Sequence, residues 1–180
     1  MAKKVLIIAT SPRKNGNSSQ IAQEFAKGAS DAGNNCEIIY LADKNINFCK
    51  GCLACQKTKK CVIHDDAPEI VEKMKTSDVI VWATPVYYYE MCGQMKTMID
   101  RANSLFADDY SFRDIYLIAT AADSGDYSAD GTIKGLSGWI ECMDKTNLKG
   151  VIKGFGLEQP DDIKSHPEIL KESYNAGQNV

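Results

Sequence analysis

The sequence predicts an α/β fold, a parallel β-sheet covered by helices on both faces. Two observations carry this. Short apolar runs without polar alternation recur at Val5–Ala9, Val79–Ala83 and Ile115–Ala119, and a strand buried on both faces reads that way. Each run is followed by a polar or small-residue loop and then by apolar residues at helical spacing, the order that builds parallel βαβ units.

The first strand, Val5-Leu6-Ile7-Ile8-Ala9, leads through Thr10–Ser19 into a helix with Ile21, Phe25, Gly28, Ala29 and Ala32 at helical spacing, which Gly33 stops. Cys36–Leu41 is a second short strand. Residues 42–65 show no clear periodicity and hold four of the seven cysteines, so they read as a cysteine-rich insertion. Asp66-Ala67-Pro68-Glu69 opens a helix with an acidic cap, a first-turn proline and a glutamate three residues after the cap; Ile70, Val71 and Met74 form its inner face. Asp78–Ala83 is the third strand. It runs into a loop, Thr84–Glu90, and then into a helix carrying Met91, Met95, Met98, Ile99 and Ala102. Asp114–Thr120 is the fourth strand. A small-residue loop, Ala121–Gly131, precedes a helix with Ile133, Leu136, Trp139, Ile140 and Met143 inward. The fifth strand, Gly150–Gly156, is diluted by three glycines. Ser165-His166-Pro167-Glu168 starts a terminal helix that Gly177 ends. Five strands joined by right-handed crossovers fit a flavodoxin-like sheet in the order 2-1-3-4-5, a three-layer sandwich.

With 180 residues and no repeat, linker or low-complexity tract, residues 1–180 are expected to form one domain. A composition 44% hydrophobic and 25% charged suggests neither disorder nor a membrane span. The net charge of −3, without a basic block, argues against nucleic acid. The apolar run after Ala2-Lys3-Lys4 is too short for an export signal, so the expected location is cytoplasmic. In a reducing compartment, seven cysteines point to metal or redox chemistry or to core packing before disulfides.

In an open parallel sheet a ligand sits beyond the carboxyl ends of the strands, beside strand one. Three loops meet there. Thr10–Ser19 ends at a helix N-terminus, where unpaired N–H groups and the helix dipole favour an anion. It adds the hydroxyls of Ser11, Ser18 and Ser19, the amides of Asn15 and Asn17, and the cations Arg13 and Lys14. It lacks both Gly-x-Gly-x-x-Gly and Gly-Lys-Ser/Thr, which sets aside dinucleotides on that fingerprint and nucleotide triphosphates. The second loop, with Pro85, Val86, Tyr87, Tyr88 and Tyr89, offers flat apolar surface to a ring system. Ala121–Asp126 is small enough to bring backbone groups to a ring edge. One phosphate and one planar heterocycle is the shape of FMN; a core or interface aromatic cluster is the alternative for the tyrosines.

Ser11-Pro12-Arg13-Lys14-Asn15-Gly16-Asn17-Ser18, Thr84–Tyr89 and Gly93–Arg101 together resemble the NADPH-dependent FMN reductase family, and within it the iron–sulfur flavoprotein branch. The likeness runs through nearly the whole chain, to Asp162-Ile163-Lys164 and His166–Leu170. It implies that Ser11, Arg13, Asn17, Ser18 and Ser19 hold the FMN phosphate. It further implies that Pro85, Val86, Tyr87, Tyr88 and Tyr89, with Ala121, Ala122 and Asp123, face the isoalloxazine. The third loop matches the family least.

Cys49, Cys52, Cys55 and Cys61 place four thiols within thirteen residues. Such a set suits a 4Fe–4S cluster or zinc, and its spacing resembles the compact motif of the iron–sulfur flavoproteins. It departs from the bacterial ferredoxin run, which has three residues before the last cysteine and a proline after it, where here Val62 stands. Free thiols or a labile disulfide remain open beside the cluster and zinc. Lys50, Lys57, Lys59 and Lys60 would ease a cluster's negative charge and equally suit a solvated loop. Cys36, Cys92 and Cys142 fall on strand or helix segments and are expected to be structural. His64 reads as a helix-entry residue and His166 as a cap; Asp100-Arg101 reads as a local ion pair or a subunit contact.

The expected function is an FMN-dependent oxidoreductase that takes a hydride from NAD(P)H and passes electrons to a quinone, a nitro or azo compound, or a protein. No protein acid or base is expected to be indispensable, because the cofactor carries the chemistry. An alternative is an iron–sulfur flavoprotein moving electrons between a ferredoxin-like partner and FMN. A third, of another class, is a non-catalytic cysteine-based redox or metal sensor. The resemblance implies a homodimer or homotetramer, with Met91, Met95 and Met98 as candidates for the interface or for the core of one subunit.

Overall fold

A computed structural model describes residues 1–180. β1 (Lys4–Ala9) lies between β2 (Asn35–Tyr40) and β3 (Val79–Tyr87); β5 (Asp114–Thr120) follows β3, and β6 (Asn147–Gly154) closes the far edge, all parallel. The order is therefore β2-β1-β3-β5-β6, as expected once β4 (Glu90–Met91), a two-residue strand antiparallel to the end of β3, is set apart.

Alternation along the pleat sends side chains to two cores. Val5 and Ile7 of β1 join Val79, Val81 and Ile118 beneath α1 (Asn17–Asp31) and α6 (Pro167–Gln178). Leu6 and Ile8 join Ile80, Trp82 and Leu117 under α3 (Ala67–Thr76), α4 (Gly93–Arg101) and α5 (Asp130–Glu141). Met95 and Met98 are wholly buried in this second core and Met91 nearly so, so packing within one subunit accounts for all three.

Four expectations change. Gly177 does not end the last helix, which runs to Gln178. A Cβ there would lie 2.1 Å from the Phe25 carbonyl oxygen, and one at Gly28 would lie 2.0 Å from that of Tyr174. The two glycines instead let α1 and α6 meet backbone to backbone, and Ser173 Oγ donates to Ile21 O across the contact at 2.8 Å. Asp66 makes no side-chain cap on α3; its carboxylate accepts the Asn45 N–H, while Asp65 accepts that of Ala67. β6 begins at Asn147, three residues before the expected start, because Asn147 and Leu148 already pair with Asp114 and Ile115 of β5, ahead of a bulge. Finally, Thr84–Tyr87 are not loop but the end of β3.

Candidate flavin site and cysteine segment

The phosphate loop forms as a tight turn at the mouth of α1. Gly16 N–H donates to Arg13 O at 2.9 Å, Arg13 N–H donates to Ser11 Oγ at 3.0 Å, and Gly16 O accepts from Ser19 and Gln20. A Cβ on Gly16 would sit 3.1 Å from Arg13 O and 3.2 Å from Ser11 Oγ, so the turn leaves little room for a side chain. The amides of Asn17 and Ser18 open α1 with no acceptor in the chain, and the buried Ser19 hydroxyl has no hydrogen-bond partner. An anion at this point satisfies donors that the fold leaves free. The residues present fit a phosphate.

A cleft of about 180 Å³ opens from this turn. Ser11, Arg13, Asn17 and Ser18 of the turn line it together with Pro85, Val86 and Tyr87 from the end of β3 and Ala122 from the loop after β5. Ser19 is buried in the first turn of α1 and does not line the cleft. Tyr88, Tyr89, Ala121 and Asp123 stand outside the lining. The Asn17 side chain is committed elsewhere: it donates to Gln159 O at 2.9 Å and accepts from Ile163 N–H at 3.3 Å. Lys14 pairs with Asp43 and leaves Arg13 as the exposed cation of the lining. Thr120, Leu157 and Glu158 also line the cleft. The loop after β6 thus supplies a wall absent from the three-loop reading; its signal was the Gly154 and Gly156 pair at the end of a strand.

Tyr88 and Tyr89 are the two central residues of the β3–β4 turn, at φ 52° and 64°. Such a turn normally takes Asn-Gly, and left-handed tyrosines cost roughly 1–2 kcal/mol each. The turn is held from outside. Tyr89 Oη donates to Asp123 Oδ2 at 3.1 Å, Tyr127 Oη donates to the same oxygen at 3.2 Å, and Gly125 N–H donates to Oδ1 at 2.9 Å. The Gly125 amide, followed by the Tyr89 hydroxyl, holds the Asp123 carboxyl below its ordinary range, and the carboxylate raises the Tyr89 hydroxyl. Tyr88 itself is 98% exposed.

The cysteine segment is fastened at its two ends. The Arg101 side chain is wholly buried and pairs through both terminal nitrogens with the equally buried carboxylate of Asp65, at 2.8 Å for Nη2. The same guanidinium donates to Asn47 O at 2.7 Å on one side of the segment and to Ile63 O at 3.5 Å on the other. Burial opposes charge on Asp65, but the Arg101 hydrogen bonds, with the Asn47 and Ala67 amides, hold its carboxyl well below the usual range. Asp65 in turn raises the Arg101 guanidinium against its own burial, with the Cys61 sulfur adding support. The Asp100–Arg101 pairing expected from adjacency does not form. Asp100 pairs with Lys96 at 2.7 Å and Arg101 turns inward.

Between those ends, Gly51, Leu53 and Lys59 have positive φ around a short helix, α2 (Ala54–Thr58). Cys49 and Cys52 are exposed, Cys55 Sγ accepts from Asn103 Nδ2 at 3.5 Å, and Cys61 lies by Arg101. The four thiols do not converge, and no group of three Cys, His, Asp or Glu side chains is placed to hold a metal ion. In this conformation the donor set does not fit a cluster. Of the remaining cysteines, Cys92 is structural: its Sγ donates to Thr10 O at 3.3 Å beneath the cleft. Cys142, expected to be structural, is exposed.

Sheet order, cleft and anion-ready helix end define a flavodoxin-like protein built to take a mononucleotide. Residues 3–144 match the NADPH-dependent FMN reductase family, and the chain belongs to that family. An iron–sulfur flavoprotein of Methanocaldococcus jannaschii is 40% identical over 102 residues, 57% of this chain and 53% of the relative. One from Methanosarcina thermophila is 29% identical, covering 76% of this chain and 72% of its own. The chain thus spans about half the length of the first of these curated relatives. An NAD(P)H:quinone oxidoreductase from Methanothermobacter marburgensis superposes with a TM-score of 0.76 at 16% identity, over 99% of this chain and 96% of the other, a likeness of fold. No helix is long and apolar enough to cross a membrane.

Proposed function

We propose that the protein is an FMN-dependent oxidoreductase that takes a hydride from NAD(P)H and delivers electrons to a quinone, a nitro or azo compound, or a protein. The observation that carries this reading is the α1 N-terminus, whose free Asn17 and Ser18 amides open into a cleft walled by Pro85, Val86 and Tyr87. When bound, FMN supplies the hydride-accepting and electron-passing chemistry. The chain holds and orients it. Asn17 and Ser18 N–H, Ser11 and Ser19 hydroxyls and the Arg13 cation hold the phosphate, while the β3 end and Ala122 bound the ring. Residues 1–180 act as one domain, as a homodimer or homotetramer in the cytoplasm, where the exposed thiols of Cys49, Cys52 and Cys142 stay reduced.

The test begins with anaerobically purified protein titrated with FMN by fluorescence quenching, followed by stopped-flow mixing with NADPH and NADH and then with a benzoquinone. Saturable quenching, bleaching of bound FMN by a nucleotide and reoxidation by quinone are expected. Protein that leaves FMN fluorescence unchanged defeats the reading.

A second reading has a specific basis. The names of the curated relatives and the Cys49–Cys61 spacing favour a 4Fe–4S cluster, against the parted thiols of this conformation. Iron and acid-labile sulfide near four per chain after anaerobic reconstitution support it, and their absence removes it.

A further inference from the structure

The hairpin that carries Tyr88 and Tyr89 hangs beside the cleft at two strained positions, and the side chains that restrain it come from elsewhere in the chain. The lining residue Tyr87 is two residues before Tyr89, and the lining residue Ala122 is one before Asp123. The Tyr89 Oη to Asp123 Oδ2 bond therefore ties the hairpin to the loop after β5, next to lining residues on both sides. Tyr127 approaches the same oxygen, and its ring lies 5.9 Å from that of Tyr89 at an angle of 32°. The Asp123 side of this tie is itself anchored, because Asp123 O accepts from Gly156 N–H at 3.2 Å and Ala121 O from Leu157 N–H at 2.9 Å. The other side of the tie is the hairpin. It rests on the start of α5, where a Cβ at Gly131 would lie 2.4 Å from Tyr89 O.

We propose that Tyr127 is a positioning residue for the flavin ring: with Tyr89 it grips the Asp123 carboxylate, and the grip sets the width of the slot between the β3–β4 hairpin and the loop after β5. This deepens the proposed function and rests on it. The phosphate end of the cleft lies at the α1 turn, outside the grip. The grip thus governs how tightly the ring is enclosed and how fast bound FMN escapes.

Each tyrosine hydroxyl backs up the other, so removing both has a larger effect than removing either. In the flavin-free protein, amide hydrogen exchange across residues 86–91 is expected to quicken in the Tyr89→Phe/Tyr127→Phe double variant. Unchanged exchange there overturns the proposal, because the hydroxyls then do not hold the hairpin. With FMN loaded, dissociation is expected to accelerate roughly 5- to 10-fold in the double variant and less in Tyr127→Phe alone, with the flavin-free thermal midpoint unchanged. A wild-type dissociation rate in the double variant overturns the proposal. If the double variant fails to fold, Asp123→Ala, which removes both acceptor oxygens, is the second arm: faster dissociation supports the grip and an unchanged rate overturns it. Wild-type protein that takes up no FMN defeats the functional reading itself, which the exchange arm does not depend on.

Discussion

At the scale of single residues, Arg101 is the one whose role exceeds what its neighbourhood in the sequence suggests. Its charge is wholly buried, matched by an equally buried Asp65, and spent on carbonyls from both ends of the cysteine segment. Breaking a buried pair leaves the other charge without compensation, at a cost of about 3–5 kcal/mol. Arg101→Met is therefore expected to lower stability by that amount in urea unfolding. The Arg101→Met/Asp65→Asn double variant should recover only part of it, because the Asn47 and Ala67 amides also lean on the Asp65 carboxylate. Arg13 is the opposite case, an exposed cation on the lining of the cleft. Arg13→Ala should weaken FMN binding about 5- to 20-fold by titration and leave the unfolding curve in place, as expected for an exposed charge that meets only the ligand. Unchanged affinity would assign the phosphate to the backbone amides and hydroxyls alone.

At the scale of elements, the crossing of α1 and α6 is set by two absent side chains. Gly28 faces Tyr174 O and Gly177 faces Phe25 O at separations no Cβ can keep. Gly177→Ala would have to push the last helix away from α1. The expected cost is roughly 1–3 kcal/mol, read as a lower thermal midpoint, with FMN affinity little changed because the cleft lies beyond the other end of the helix pair. The same lesson explains the misplaced helix end. A glycine near the end of an apolar-periodic segment signals a stop and a close approach equally well, and only the partner helix, far away in sequence, decides. The β3–β4 hairpin was hidden for a related reason. Its turn uses Tyr-Tyr where Asn-Gly is the readable signal, and the restraint that makes Tyr89 tolerable comes from Asp123.

At the scale of the whole molecule, acid is the condition that loosens several of these ties together. Asp65 and Asp108 both have carboxyls held low, Asp108 at about 2 by hydrogen bonds from Lys75 and Lys59. A carboxyl depressed in the folded state contributes stability above its unfolded value near 4, and loses it as pH falls through the folded value. Urea midpoints are therefore expected to stay level from pH 7 to about 5 and to fall steeply from about 4 towards 2. An Asp65→Asn variant should be less stable at pH 7 and should show a shallower fall. The sheet itself was legible from the amino acids alone, since strands buried on both faces announce themselves as bare apolar runs and their order follows from chain handedness. The tight turn at the mouth of α1 was legible because a helix start is local. The remaining walls were not: Leu157 and Glu158 reach the cleft from the far edge strand, and Asp65 finds Arg101 across thirty-six residues. Such partnerships exist only once the sheet has formed.

The clamp on Asn47 and Ile63 also decides what happens when the backbone between them is cut. Lys50, Lys57, Lys59 and Lys60 are all exposed on that stretch, whereas the segments on either side are gripped by one buried guanidinium. A trypsin nick there should leave the two fragments associated, the sheet uncut and the cleft intact. Two bands on a denaturing gel would then elute as one species on gel filtration. The clamp thus holds the ends of the cysteine stretch in place whether or not the backbone between them is continuous.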